Sequence, residues 1–240
     1  MRIPRIFIDA DLAKNASVAL PADAAKHVGK VLRLPAGASL LLFNGKGGEW
    51  QSELSFADGA AFATPLAFNA EDNESPLAVT LLQGIGRGER MDYAIQKAVE
   101  LGVAAIQPVF TERTVVKLSG PRLEKRQQHW QAIMIAACEQ SGRNKLPALL
   151  PAVHLPEALA FEAEQKWVLA PSAEQALASV SQPATVGLLI GPEGGLSDDE
   201  ITQAESQGWQ PWQLGPRVLR TETAGSAALA VLQAKWGDFS

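Results

Sequence analysis

Cysteine is nearly absent from this chain of 240 residues, with Cys138 standing alone. One thiol excludes a disulfide framework within the chain and fits a reducing compartment. Only three histidines occur, His27, His129 and His154, and they are scattered. With no second cysteine beside them, a structural zinc site is not expected, nor any other metal. Long hydrophobic runs are missing too. The N-terminal "MRIPRIFIDADL" is broken by charge and proline, so neither a signal peptide nor a membrane span is expected there. No internal repeat or low-complexity tract is present. These absences leave a cytoplasmic enzyme or binding protein with no membrane partner.

Positive charge is in deficit overall, with 21 Lys and Arg against 26 Asp and Glu. The distribution is uneven. Residues 1–33 hold six basic against three acidic side chains, 83–146 ten against six, and 147–240 four against eleven. Such basic segments serve either as solvated helix faces or as a surface for a polyanion, which senses local potential rather than the sum.

The first seventy residues read as short β segments around one helix. "RIFID" and "SVAL" are apolar-rich, and "DAAKHVGKVLRL" has helical spacing. "SLLLFNGKGGEWQSELSFADGAAFATPLAF" alternates around two hairpin turns, "NGKGG" and "ADG", as a small antiparallel barrel would. "NAEDNESP", 69–76, is polar and ends in proline, which marks a linker. From 77 onward strands alternate with helices: "LAVTLLQ", "AIQPVF", "KWVLAP", "VGLLIG" and "WQPWQLG" as strands, with helices at 89–102, 121–142, 197–207 and 222–236. That rhythm predicts a parallel sheet covered on both faces.

Two kinds of loop stand out. In "TLLQGIGRGER" a strand ends in Gly84, Gly86 and Gly88 before a helix, as in nucleotide-binding folds. The third glycine is one residue early for the dinucleotide fingerprint, and such turns are also rich in glycine for steric reasons. "IGPEGGLSDDE", 190–200, leaves a strand through Gly191, Pro192, Gly194 and Gly195. It restarts in an S-x-x-E capping box at Ser197 and Glu200. Glu193 at its centre would repel a phosphate held on that helix, so it suits hydroxyls, amines or a cation. About twenty residues later "LGPRVLRTETAGSAALA" repeats the pattern, with Arg217, Arg220, Glu222 and Thr223 at the start of a helix of small residues. Two such turns after strands predict one cleft between them.

"IGPEGGLSDDE", "LGPRVLRTETA", "IQKAVELGV" and "EQSGR" together resemble the RsmE family of 16S ribosomal RNA methyltransferases, of the SPOUT superfamily. "RIF" at 5–7 and "HVGKVLR" at 27–33 extend the likeness through nearly the whole chain. The resemblance implies an α/β fold with an N-terminal PUA-like β-barrel, 1–72, that holds RNA. A SPOUT methyltransferase domain with a deep trefoil knot would follow at 73–240. It also implies S-adenosylmethionine as cofactor, 16S rRNA or the small ribosomal subunit as partner, and a homodimer with each site completed across the interface. The reaction implied is methylation of N3 of a uridine.

Carried over residue by residue, Leu169, Ile190 and Leu214 would line the adenine slot, with Ala170 and Pro171 completing that wall. Gly191, Gly194, Gly195 and Gly215, with the backbone of Val218 and Leu219, would take the polar edges, and Pro192 and Glu193 belong to the same cofactor loop. Arg220 and Glu222 would lie near the methyl donor, with Thr223 and Ala224 also at the cofactor. Arg143, Arg220 and Glu139 are the expected catalytic groups, with Gln140 reading the base edge. Arg5, His27, Lys30, Arg33, Arg87 and Arg113 are expected RNA contacts, positioning rather than specifying. Three alternatives stay open: a Rossmann-type methyltransferase using Gly84, Gly86 and Gly88; a Cys138 thiolate attacking the base for C5 methylation; and a non-enzymatic RNA-binding protein.

Overall fold

The computed structural model describes residues 3–239 apart from Ser172 and 174–179. The chain divides into two compact units, and the division is not one cut. The first unit comprises residues up to Glu74 together with Ile135–Leu146, and the second Ser75–Met134 with Pro147 onward.

The first unit is built on β1 (Arg5–Phe7), β2 (Val18–Ala19), α1 (Ala22–Lys26), β3 (Ser39–Phe43), β4 (Glu49–Ala57) and β5 (Ala60–Asn69). Its five-stranded sheet runs in the order β1-β3-β4-β5-β2, antiparallel except where β1 pairs with β3. Asp58 and Gly59, both at positive φ, join β4 to β5 in a two-residue turn whose twist matches the strands. Pro65 lacks a ladder donor, and the register shifts there, with Ser52 opposite Pro65 but Gln51 opposite Ala67. Leu40, Leu42, Leu54 and Ala63 alternate inward onto Ile6, Ile8 and Val28. The segment read as one regular helix is α1 widened into a π-turn over His27–Val31, where the Leu32 amide donates to the His27 carbonyl five residues back.

The second unit carries β6 (Ala78–Gly84), α2 (Gly88–Glu100), β7 (Ala105–Phe110), and α3 (Gly120–Ser141) as far as Met134. It continues with β8 (Ala148–Leu149), β9 (Val153–His154), α4 (Leu155–Leu159), β10 (Gln165–Leu169), β11 (Thr185–Ile190), α5 (Asp198–Ser206), β12 (Gln210–Trp212) and α6 (Thr221–Trp236). Every strand pairing in its sheet is parallel, in the order β12-β10-β11-β6-β7-β8 with β9 also beside β7. Leu82, Val109, Val168 and Leu189 pack with α4 and α5. Leu81, one residue away and therefore on the opposite face, meets Gly225 of α6. The expected two-sided cover is present. β8 and β9, two residues each, are too short for a periodic signal and were not foreseen.

The end of α3 and the turn after it belong to the first unit because their polar groups are used there. Arg5 pairs with Glu49, and its Nη2 donates to the Arg143 carbonyl at 3.0 Å and to Asn144 Oδ1 at 2.7 Å. Asn144 Nδ2 donates to the Glu71 carbonyl and Asn73 Nδ2 to the Gly142 carbonyl. Arg143, itself buried, forks onto Glu74 through Nη2 at 2.6 Å and Nε at 3.2 Å. Removing one partner of a buried ion pair strands the other charge, at about 3–5 kcal/mol. Arg143→Ala is therefore expected to lower stability by about that amount in urea titration. A loss below about 1 kcal/mol, the range of an exposed pair, would show that the fork contributes nothing to the unit.

Candidate functional site

β10, β11 and β12 are neighbours in one parallel sheet, so Leu169, Ile190 and Trp212 end them along one edge. The carboxyl ends of such strands are where open α/β sheets hold ligands. A cavity of about 490 Å³ lies there, walled by Leu169–Pro171, by the turn from Ile190 to Leu196 and by the loop from Trp212 to Thr221. All but two of the residues expected at the cofactor line it. Glu222 and Thr223 do not, although Ala224 on the same first turn of α6 does. Trp212, Gln213 and Thr221 line it unforeseen. The first two were legible as residues ending a parallel strand; Thr221 had no sequence signal.

Glycine lets the walls pass closely. A Cβ on Gly84 would lie 2.5 Å from the Pro192 nitrogen, and one on Gly191 would lie 2.8 Å from the Gly195 carbonyl carbon. Such distances are closer than van der Waals contact allows. The space beside Gly84 is thus filled by the second loop's own backbone, so a ligand cannot approach that glycine. Gly195 turns at φ +69°, where other residues are strained.

Glu193 faces inward to the protein. Its Oε1 accepts the Arg87 amide at 2.8 Å and lies 3.7 Å from an Arg90 guanidinium nitrogen. Arg87 is the N-cap of α2, so the carboxylate meets the positive end of that helix. Arg113, expected on RNA, donates Nη1 to the Gly194 and Leu196 carbonyls at 2.9 and 3.1 Å. The capping box is complete, with Ser197 Oγ accepting from the Glu200 amide and Glu200 accepting from the Ser197 amide; the same carboxylate also takes the Glu112 amide. A further chain crosses beneath the cleft. Buried Gln83 donates Nε2 to Thr221 Oγ1 at 2.9 Å, and that hydroxyl donates to the Gly191 carbonyl at 2.6 Å. Gln213 Nε2 ties the third wall to the first through the Pro171 carbonyl at 2.7 Å. Arg220 is the N-cap of α6, its carbonyl accepting from the Thr223 and Ala224 amides, and the residue is exposed at the cleft.

Residues 73–233 match the RNA methyltransferase domain family, and residues 20–62 the RNA methyltransferase PUA domain. Across its whole length the chain is 38% identical to ribosomal RNA small subunit methyltransferase E of Buchnera aphidicola from Schizaphis graminum, covering 99% of it. The chain belongs to that family. The Synechocystis member is 35% identical over 96% of this chain and 77% of its own. A Neisseria gonorrhoeae member solved with bound S-adenosylmethionine is similar over all of both chains, with 41% identity and a TM-score of 0.92. A Legionella pneumophila structure in complex with the same cofactor gives 40% and 0.95, again over all of both chains. The expected fold class, a parallel α/β methyltransferase domain with a PUA domain, is the one found.

Other expected site residues of this family member lie in the first unit. Arg5, expected on RNA, has a side chain only 7% exposed that bonds to Glu49, the Arg143 carbonyl and Asn144. Arg143 likewise has a structural task on Glu74. His27, Lys30 and Arg33 are exposed. Glu139 accepts the Phe7 amide at 3.0 Å, and burial raises its carboxyl above the ordinary range despite that bond and the nearby His27 and Arg5. Gln140 is exposed. Cys138 is buried, and desolvation pushes its thiol up to about 11, so at neutral pH it is a packed, protonated side chain and not a nucleophile. Among the described residues no metal-ligating cluster occurs, and no helix is long and apolar enough to cross a membrane.

The close passage makes a sharp contrast between neighbouring glycines. A Cβ on Gly86 would meet only the Glu193 carboxylate at 3.5 Å, an ordinary contact. Gly84→Ala is expected to cost about 1–3 kcal/mol in urea unfolding, as overpacking does. Gly86→Ala should stay within about 0.5 kcal/mol. Equal tolerance at both positions would remove the crossing.

Proposed function

We propose that this protein transfers a methyl group from S-adenosylmethionine to N3 of a uridine in the 16S rRNA of the small ribosomal subunit. The observation that carries the reading is the cleft at the ends of β10, β11 and β12, walled by two Gly-Pro loops. Its chemistry fits a phosphate-free adenosine better than a nucleotide. Leu169, Ile190 and Leu214 supply an apolar slot, while Arg90 and Arg113 at its wall face Glu193 and the Gly194 and Leu196 carbonyls. The volume is that of a small-molecule site. The relatives named for small subunit rRNA methylation support the same substrate class.

S-adenosylmethionine supplies a methyl group made electrophilic by positive sulfur. The residues of this chain do the rest. Neutral uridine N3 is a poor nucleophile, and charge spreads to O2 and O4 as its proton leaves. Arg220, exposed at the rim of the cleft, would stabilise that charge. Glu139 is the proton acceptor in this reading, since a carboxyl raised by burial holds a proton nearer neutral pH. Gln140 reads the base edge, and Arg143 positions both by holding the turn that follows them on Glu74. His27, Lys30, Arg33 and Arg87 track the RNA backbone from exposed positions. The wider organisation we infer is a PUA-like RNA-binding domain over 1–72 and a knotted SPOUT domain over 73–240. It would act in the cytoplasm as a homodimer whose sites are completed across the interface.

The test is methyl transfer from labelled cofactor to small subunits lacking the modification, followed by nucleoside mass spectrometry. 3-Methyluridine is expected. Arg220→Ala should lose roughly 10²–10³ in kcat at saturating cofactor, the scale of one charge-stabilising donor. Label on another nucleoside would discard the target atom. No transfer and no cofactor binding would leave an RNA-binding protein without chemistry.

A further inference from the structure

A second cavity, of about 530 Å³, opens at the ends of β7 and β9, the same carboxyl edge of the sheet that bears the methyl-donor cleft. Phe110 and His154, the last residues of those two strands and neighbours across them, line it side by side, with ring centroids 5.3 Å apart and planes tilted by 33°. Thr111 and Thr114 line it and are locked together, their hydroxyls 3.1 Å apart and the Thr111 amide donating to Thr114 Oγ1 at 3.0 Å. Lys117 stands exposed at the wall and brings positive charge; Glu112 adds an acceptor. The two cavities share a partition. Glu112 lines this one and Arg113, bonded to the Gly194 carbonyl, lines the other.

An aromatic pair, a cation and hydroxyl groups in one hollow are the parts that recognise a single unstacked nucleotide: rings for the base, ammonium for the phosphate, polar groups for its edges and ribose. An isolated hydrophobic ligand would leave Lys117 and Glu112 without partners. A free phosphate would leave the rings unused. We propose that this cavity holds one unpaired nucleotide of the RNA substrate, near the methylated uridine along the strand, so that the target is presented by gripping its neighbour. The proposal rests on the methyltransferase reading above and adds to it a second RNA subsite.

The test compares His154→Ala, His154→Phe and Lys117→Ala with the unaltered protein in methyl transfer to unmodified small subunits. None of these positions touches the methyl-donor cleft, so kcat at saturating subunit and calorimetric affinity for S-adenosylmethionine should be unchanged. KM for the subunit is expected to rise about tenfold in His154→Ala, the size of one lost base stack. It should remain near the original value in His154→Phe, which keeps a stacking ring. Lys117→Ala should raise KM and flatten its dependence on salt. An unaltered KM in both alanine variants would overturn the subsite while leaving the methyltransferase intact. So would a rise in His154→Phe as large as in His154→Ala, which would mark the histidine as structural. Absence of transfer by the unaltered protein would refute the underlying reading instead.

Discussion

The turn at Gly191–Pro192 lies on Gly84 with no room for a methyl group between them. Three things follow from that one approach. The loop leaving β11 is held on the end of β6, beside the paired residues Ile190 and Gln83. Gly84 is sterically occupied, so that glycine serves the fold rather than a ligand. The Gly191 carbonyl comes within reach of Thr221 and, through it, of buried Gln83. An apolar contact would tolerate small shifts; two backbones in contact do not, and the cleft inherits that rigidity.

Charge does internal work around the same crossing. Glu193 sits where a phosphate-binding loop would have none, and its role is to satisfy the start of α2. Arg113 gathers two carbonyls of the loop, and Glu200 joins the start of α5 to the Glu112 amide. Each of these side chains reads in isolation as a ligand contact. Together they hold a glycine-rich loop still, offsetting the backbone entropy that glycine adds.

Much of this was legible in the sequence. The alternation of strand and helix, the hairpin at Asp58–Gly59, the Ser197–Glu200 cap and the pair of Gly-Pro turns are local patterns, and local patterns carry their own geometry. The walls Leu169, Ile190 and Leu214 came from the family resemblance, and the first two also end parallel strands. What stayed hidden depends on partners far along the chain. Nothing near Arg5 announces Asn144, nothing near Glu193 announces Arg87, and nothing in "EQSGR" shows that Arg143 is turned onto Glu74. A charged residue looks the same in sequence whether it faces solvent, substrate or an internal partner.

The cleft between the two Gly-Pro loops as the cofactor site is the centre of this account. A crystal structure of the protein soaked with S-adenosylhomocysteine tests it most directly. Adenine density between Leu169, Ile190 and Leu214, with the glycine turn at 84–88 unmoved, is the predicted result. Density on that glycine turn, or Pro192 displaced from Gly84 to admit the ligand, would contradict it.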